Sequence, residues 1–383
     1  MNLVPIGAGG GLQNGLSFLE QLPSIPEFLG QAVIVCVRDS PIHSQCMKLN
    51  IPCEPVAGGR FGRLLFETFY SNQLLRKYGS TLVFTLFGNT PFACRDAYSI
   101  SGFAYSNIID DSIDFWGFLS PAKKLIKKGK DRLRLYLARL SNEIVVETAY
   151  LKRRAEQGVF SDKTVHVVEM EPSSFILNTA GDRDVSSDVE PFVDLLYLAG
   201  PHPNKRIHLL APIVANLNSR SISDMTKREY RLVTTLPEGS AFLRTVQDAF
   251  SGLGIENCLL NKGPVAPDRV GELIRSCDAM INIAALESFS NNWVEAWAFR
   301  RPLISTDAQW ARESCGDAAV YIDPQNATDA AERIANSLES DARLRSLIRS
   351  GEEQLHHLQS AGRKIEKYFQ LVQAGLTRIE LKT

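Results

Sequence analysis

The sequence predicts an α/β protein of two domains, each built around a parallel sheet. Its 383 residues are 44% apolar and 22% charged, which is enough for about two buried cores. Short apolar runs bounded by Gly, Pro or Asp alternate with helical patterns in both halves, as parallel sheets require. Strands of the first domain are predicted at residues 3–6, 32–37, 81–86, 143–146 and 165–168.

A second series of strands follows a weakly patterned stretch, residues 173–205, that is rich in turn residues and predicts a linker. Its strands are predicted at residues 207–211, 256–260, 279–284, 302–305 and 319–322. We therefore expect a first domain over residues 1–175, a second over residues 200–360, and a terminal helix in residues 361–383 that could pack back on the first domain. Two such domains facing each other leave a cleft at the carboxyl ends of their strands, where ligands of parallel sheets bind.

The composition limits the binding partners and the cellular location that we expect. A formal net charge of -1 gives no general attraction to nucleic acid, so none is expected as a partner. The seven cysteines form no C-x-x-C pair, which indicates reduced thiols in a cytoplasmic protein. No apolar run approaches the ~20 residues needed to cross a bilayer, and the N-terminus lacks a basic leader, so we expect a protein that is soluble or peripherally attached.

The most informative segment spans residues 279–307. It predicts a buried strand, a polar turn that begins with Glu287, a helix that contains Glu295, and a second buried strand. The free amides at the start of that helix, together with its positive dipole end, suit a pyrophosphate. Two flanking carboxylates can accept hydrogen bonds from sugar hydroxyls.

Other side chains of this segment have simpler explanations. Ser288, Ser290 and Asn291 offer oxygens that could cap the start of the helix. Trp293 and Trp297 lie one helical turn apart, and this spacing favours packing in a core over a stacking platform for a ligand.

The segment resembles the signature of the retaining family 4 of GT-B glycosyltransferases, in which seven residues separate two glutamates. Glu287 and Glu295 have that spacing, and residues 301–307 and 316–324 match the two stretches that follow it in the family. The resemblance implies a GT-B fold, with two Rossmann-like domains and an interdomain cleft. It also implies transfer of a hexosyl group from a nucleoside-diphosphate sugar with retention of configuration, without a cofactor.

The resemblance further implies roles for individual residues. Glu287 would contact hydroxyls of the donor sugar, the amides of residues 288–291 its phosphates, and Glu295 the ribose. The expected donor-binding residues are Gly10, Gly11, Lys262, Glu287, Ser288, Phe289, Ser290, Asn291 and Glu295. The sequence offers no identifiable catalytic nucleophile.

A glycine-rich loop, residues 7–11, stands where the family carries one. Gly10 and Gly11 allow the backbone to approach the diphosphate or the acceptor closely, although a tight turn without a ligand explains them as well. A dinucleotide site is disfavoured because the third glycine of its fingerprint would fall on Leu12.

The sequence departs from the family in its cations. Many members place an arginine and a lysine just after the first strand of the second domain, but the predicted strand at 207–211 is followed by no cation before Arg220. Lys262, Arg60 and Arg63 are therefore the candidates for neutralising the diphosphate.

The acceptor side is less defined by the sequence. The family's histidine in the first domain has no clear equivalent. Tyr105, Ser106 and Asn107 could line an acceptor pocket or simply form a turn at the edge of a strand. The D-x-D pattern of Asp182 and Asp184 lies in the predicted linker, where a solvated acidic turn is favoured over a metal site. We therefore expect no metal requirement.

A basic amphipathic stretch completes the analysis. Eight Lys or Arg lie between Lys123 and Arg139, interleaved with apolar residues at helical spacing. The stretch could rest on the anionic inner face of the cytoplasmic membrane and reach a lipid-linked acceptor, or it could be a solvated helix whose apolar stripe packs on its own domain.

The expected function is sugar transfer to a glycan or lipid-linked acceptor, with bacterial surface polysaccharides such as O-antigen as the context that the resemblance favours. Two alternatives stay open. One is a sugar-nucleotide epimerase of the same fold, and the other is a non-catalytic nucleotide-sugar binding subunit.

Overall fold

The computed structural model describes residues 1–7, 9–117, 119–172, 191–222, 228–360 and 363–381. The chain divides into two compact units. The first combines Met1–Glu171 with Ala361–Thr383, and the second is Pro172–Ser360. Among the described residues, no helix has both the length and the apolar character needed to cross a bilayer.

The first unit contains two groups of parallel strands. They are β1 (Ile34–Val37) and β2 (Cys53–Val56), and β3 (Leu82–Thr85), β4 (Tyr98–Gly102), β5 (Glu143–Val146) and β6 (Thr164–Val167). Asn2 joins the groups, because it bridges Val35 of β1 and Thr85 of β3. The strand predicted at residues 3–6 is therefore wrong in position, because strand pairing occurs at Asn2 and a turn follows at Pro5. Proline has no amide hydrogen to donate to a neighbouring strand.

Helices alternate with these strands, as the sequence pattern predicts. They are α1 (Gly9–Gln21), α2 (Pro26–Gln31), α3 (Pro41–Lys48), α4 (Gly59–Leu65), α5 (Ser71–Lys77), α6 (Ser106–Ile109), α7 (Pro121–Ala138) and α8 (Ala149–Gln157). A π-helical turn, Phe66–Tyr70, continues α4 into α5. Local capping fixes α3, since the Ser40 hydroxyl accepts a hydrogen bond from the His43 amide at 3.2 Å and Pro41 occupies the first helical position.

The second unit is a six-stranded parallel sheet with the order β12-β11-β10-β7-β8-β9. Its strands are β7 (Phe192–Tyr197), β8 (Glu229–Thr234), β9 (Leu259–Asn261), β10 (Ala279–Asn282), β11 (Leu303–Thr306) and β12 (Val320–Ile322). The strand order reverses between β7 and β10. This reversal is the topological switch point, where doubly wound sheets bind ligands at the carboxyl ends of the strands.

The helices of the second unit cover both faces of its sheet. They are α9 (Leu210–Ile222), α10 (Ala241–Ser251), α11 (Val270–Ser276), α12 (Asn291–Ala298), α13 (Gln309–Cys315), α14 (Ala327–Leu338) and α15 (Asp341–Ser360). The strand predicted at residues 207–211 is wrong, because a 3-10 turn there leads into α9. Ile207, Leu210, Ala211 and Val214 are all buried at helical spacing. The first strand of this unit is instead β7, which begins inside the stretch that predicted a linker.

The last helix, α16 (Lys364–Glu380), belongs to the first unit and packs on its sheet. A Cβ atom at Gly375 would lie 2.7 Å from Leu82 Cδ1, so a larger residue there would require the Leu82 side chain to move. At the amino end of β5, the buried Glu143 carboxylate contacts Arg378 of this helix, Tyr98 and His166. This carboxylate therefore ties α16 to the sheet.

The Glu143 contacts predict a stability loss in acid. Burial by itself would raise the pKa of Glu143, but the hydrogen bonds from His166, Tyr98 and Arg378 outweigh it and lower the pKa to about 2. Because the folded pKa lies below the unfolded one, the stabilisation is complete above about pH 4.5 and is lost as the pH falls toward 2. Chemical denaturation between pH 6 and pH 3 should show wild type losing on the order of 1–2 kcal/mol more than Glu143→Gln. Parallel pH profiles for the two proteins would contradict this role.

Candidate functional site

A hydrogen-bond network occupies the switch point of the second unit. The hydroxyl of Tyr197, the last residue of β7, lies 3.0 Å from both Asn282 Oδ1 and the Lys205 carbonyl oxygen. Asn282, the last residue of β10, donates through Nδ2 to Ser290 Oγ at 2.7 Å and accepts from the Ala284 amide at 3.0 Å. The two strand ends and the start of α12 are thus held together by buried polar groups.

Asn204 fixes the segment after β7 beside the turn after β10. Its Nδ2 donates to the Leu286 carbonyl at 2.8 Å, and its Oδ1 accepts from the Leu286 amide at 3.2 Å. The Asn204 carbonyl also accepts from the Ala285 amide at 2.9 Å. This reciprocal pairing holds Lys205 opposite Glu287, although 82 residues separate them in sequence.

Lys205 and Glu287 form an ion pair at this site. The Lys205 side chain is 21% exposed and the Glu287 side chain is 15% exposed, so solvent or a ligand can reach both. A charge-assisted hydrogen bond of this kind is strong. Because the pair is partly exposed, a ligand group can replace either partner. The pair presents one cation and one hydrogen-bond acceptor to an incoming molecule.

Arg206 lies beside the pair and supports the strand ends. Its backbone is left-handed, with φ of 50°, which turns the guanidinium toward the sheet. Nε donates to the Ile283 carbonyl at 2.9 Å, and a terminal nitrogen donates to the Ala284 carbonyl and to Thr306 Oγ1, each at 3.0 Å. Burial lowers the pKa of Arg206, but a guanidinium stays protonated in proteins, so this group adds positive potential.

The start of α12 is bonded to the ends of both strands. Asn292 Nδ2 donates to the Leu198 carbonyl just beyond β7 at 3.0 Å, and Ser290 is bonded to Asn282 at the end of β10. The expectation that the Ser290 oxygen caps the helix is wrong, because no capping bond forms and Asn282 uses this hydroxyl. The helix start with its positive dipole end therefore lies at the switch point.

The two tryptophans of α12 are buried, as core packing predicts. Trp293 stacks on Trp310 with ring centroids 5.6 Å apart, and Trp297 Nε1 donates to the Ala318 carbonyl at 3.2 Å. The partly exposed Phe289 ring meets the edge of Trp293 at 5.2 Å. Glu295 is 5% exposed on the same helix, so its carboxylate lies mostly inside the unit.

Residues 193–340 match the family model described as "Glycosyl transferases group 1". The matched stretch runs from β7 to β12 and contains the Lys205–Glu287 pair and all of α12. No curated protein matches the chain by sequence.

Solved structures show that the whole chain has the GT-B fold. A glycosyltransferase from Rickettsia africae ESF-5 superposes with a TM-score of 0.70 at 14% identity, covering 98% of this chain and 97% of that one. Sucrose-phosphate synthase from Thermosynechococcus elongatus gives 0.67 at 13% identity over 97% and 94%. HepE from Anabaena, in complex with UDP and glucose, gives 0.64 at 15% identity over 96% of each chain.

The structure does not bring Lys262 to the switch point of the second unit. Lys262 follows β9, the edge strand, two strands away from β7, which corresponds to about 10 Å. Arg60 and Arg63 lie on α4 in the first unit, where Arg63 pairs with Glu67 at 2.8 Å. Lys205 is therefore the cation that the structure pairs with Glu287.

The predicted glycine loop lies in the first unit. α1 begins at Gly9, which has a φ of +62°, and Gly10 and Gly11 form its first turn. A Cβ at Gly11 would meet nothing within 4 Å, so the space above this turn is open. Ligand contact at Gly10 and Gly11 stays a prediction.

Two of the three residues predicted for the acceptor contact α7. Arg134 lies 4.6 Å from the centre of the Tyr105 ring, and Asn107 Nδ2 donates to Asp131 Oδ2 at 2.9 Å. Ser106 is 7% exposed. Acceptor binding by the three residues stays a prediction. The D-x-D pattern at 182–184 lies outside the described residues.

Proposed function

We propose that this protein transfers a glycosyl group from a nucleoside-diphosphate sugar to an acceptor hydroxyl, with retention of configuration. The observation that carries the proposal is the Lys205–Glu287 pair beside the start of α12, at the switch point of a group 1 glycosyltransferase domain. The structurally similar HepE has been crystallised with UDP and with UDP-glucose, which supports a donor of this chemical class.

The cations of the site suit the donor's diphosphate. Lys205 supplies an ammonium, Arg206 a guanidinium held by the strand ends, and the helix start backbone amides with a positive dipole end. Together they would stabilise the negative charge that develops on the leaving diphosphate, so we propose transfer without a metal ion. Lys205 supplies the kind of cation whose absence would favour a non-catalytic binding subunit.

The carboxylates suit the two rings of the donor. When the diphosphate attracts Lys205, Glu287 is released to accept hydrogen bonds from hydroxyls of the transferred sugar. Glu295 is assigned to the ribose. Positioning of the donor and stabilisation of the leaving group would supply most of the rate, because no nucleophile is identified.

The ribose assignment predicts a loss of donor affinity in Glu295→Gln. We expect UDP to bind about tenfold more weakly to this variant, because a charge-assisted hydrogen bond is replaced by a weaker one. Isothermal titration calorimetry against a panel of nucleoside diphosphates and their sugars measures this change. Glu332→Gln, an exposed glutamate on α14, serves as the matched control and should bind like wild type.

Product analysis separates the transferase from its alternatives. Incubation with the best-binding donor and an acceptor mixture should release nucleoside diphosphate and form a glycoside. An isomerised free nucleotide sugar, formed without acceptor, would indicate an epimerase. Donor binding that never leads to transfer or hydrolysis would indicate a binding subunit.

We further propose that α7 contacts an anionic membrane that carries a lipid-linked acceptor. Part of the apolar stripe does not pack inside its own unit, since Ile126 and Leu133 are 60% and 58% exposed and the neighbouring Leu125 is 71% exposed. Lysines and arginines lie along the same helix. Exposed apolar side chains next to cations are the features of a helix that lies on a membrane surface.

Neutralising part of α7 should weaken this binding. Replacing Lys127, Lys128 and Lys130 by glutamine removes three cations at about 1 kcal/mol each, so the partition constant for vesicles should fall roughly 100-fold. Co-sedimentation with phosphatidylglycerol-containing vesicles at low salt measures the constant.

Three exposed arginines of α15 provide the control for this experiment. Replacing Arg343, Arg345 and Arg349 by glutamine changes the net charge equally and should leave vesicle binding unchanged. Equal loss in both triple variants would mean that general charge, not α7, drives binding.

A further inference from the structure

Three cysteines converge in the first unit, although 10 and 7 positions separate them along the chain. Cys36 lies on β1, Cys46 on α3 and Cys53 at the start of β2. Their three Sγ atoms all lie within 4.8 Å of one another. We call this group the cysteine cluster.

The β1-α3-β2 crossover creates the cysteine cluster. In the parallel register, Ile34 lies opposite Cys53 and Cys36 opposite Pro55, so Cys36 and Cys53 are diagonal neighbours on one face of the strand pair. The buried residues of α3 are Ile42 and Cys46, one turn apart, and this face of the helix covers the strands. Cys46 therefore meets both strand cysteines.

The three sulfurs differ in environment. Cys36 and Cys46 are fully buried, whereas Cys53 is partly exposed and provides access from solvent. A hydrogen bond from Cys46 lowers the pKa of Cys36, and the same bond raises the pKa of Cys46. Burial raises the pKa of Cys53. Three thiols that converge in this way can exchange their protons for a cation.

The spacing of the sulfurs fits a metal ion better than a disulfide. Thiolates bind ions such as zinc at about 2.3 Å, which places three sulfurs around one ion about 4 Å apart. The cluster would close by less than about 1 Å to reach this geometry. A disulfide requires a sulfur separation of about 2.05 Å and hence a larger movement. Within the part of the chain that the structure describes, no fourth His, Cys, Asp or Glu joins the cluster.

We propose that the cysteine cluster binds one thiophilic d10 cation, of the class of Cu(I), Cd²⁺ and Zn²⁺, through three sulfurs. Soft thiolate ligands select such ions over Mg²⁺ and Ca²⁺. Binding links β1, α3 and β2 and releases thiol protons to solvent, so affinity rises with pH. The cluster lies in the first unit, and its occupation is independent of the proposed sugar transfer.

Cadmium titration of the reduced, metal-free full chain tests the proposal under anaerobic conditions. We expect one equivalent of Cd²⁺ to produce the ultraviolet thiolate-to-cadmium charge-transfer band and to raise the melting temperature. Cys46→Ser should weaken Cd²⁺ binding by about 100-fold or more, since loss of an outer-shell partner alone costs 10–100-fold. Cys94→Ser, which removes another buried thiol of the first unit, is the matched control and should bind like wild type.

Two results would overturn the proposal. One is the absence of a stoichiometric charge-transfer band in wild type. The other is equal Cd²⁺ affinity in Cys46→Ser and Cys94→Ser. If circular dichroism shows that Cys46→Ser does not fold, the partly exposed Cys53→Ser replaces it in the same comparison, with the same expected loss.

Discussion

Replacing Lys205 by glutamine should lower kcat for sugar transfer about 100- to 1,000-fold, or roughly 3–4 kcal/mol of transition-state stabilisation. The reason is electrostatic: in the proposed donor site the ammonium faces the leaving diphosphate, and an uncharged amide cannot stabilise the charge that develops there. The loss should appear more in kcat than in KM, because the charge is greater in the transition state than in the bound donor. Steady-state kinetics with the best donor from the binding panel measures both constants.

Two further variants make the Lys205 experiment specific. Lys205→Arg keeps the positive charge and should recover part of kcat, although its planar fork differs from an ammonium. Lys262→Gln removes an exposed lysine of the same unit, two strands away, and should retain wild-type kinetics within about twofold. If Lys262→Gln is as damaging as Lys205→Gln, the diphosphate lies elsewhere and the site is wrong.

Arg206→Met should lower the stability of the second unit by about 2–4 kcal/mol, the largest stability effect that we expect at the site. The guanidinium donates to Ile283, Ala284 and Thr306 at the ends of β10 and β11, and methionine leaves these acceptors without their donor. For a unit of this size, the melting temperature should fall by about 5–15 °C. Differential scanning calorimetry measures the transition.

A surface arginine gives the comparison for Arg206. Arg269 is 66% exposed and pairs with Glu272 at 2.7 Å. Because exposed ion pairs contribute little, Arg269→Met should change stability by less than about 0.5 kcal/mol. A melting temperature of Arg206→Met close to that of Arg269→Met would show that the strand ends do not depend on this guanidinium.

The pattern of residues 279–307 is enough to predict the elements around the two glutamates. Residues 279–284 and 302–305 are short, mostly apolar runs bounded by polar turns, and a run of that kind in an α/β chain is a buried parallel strand. Glu287 therefore had to follow a strand end and Glu295 had to lie on a helix. The burial of Trp293 was also predictable, since its spacing with Trp297 places both on one helical face.

Other assignments failed because local pattern is ambiguous. The short apolar run at 207–211 fits a strand or a buried helix segment equally well, and periodicity alone does not separate them. The strand interpretation hides Lys205 and Arg206, which follow the true first strand, β7, after residues 198–204. The exposed stripe of α7 was equally undetermined, because periodicity identifies an apolar face without showing what covers it.

Contacts between residues that are distant in sequence depend on the tertiary structure. Neighbouring parallel strands are far apart in sequence, so Lys205 reaches Glu287, and Cys36 reaches Cys53, through strand order and register. A sequence pattern specifies the face on which a side chain lies, but its partner depends on which strands pair and where the crossovers place their helices. The chemistry of single residues was therefore readable from the sequence, whereas the ion pair and the cysteine cluster exist only in the fold.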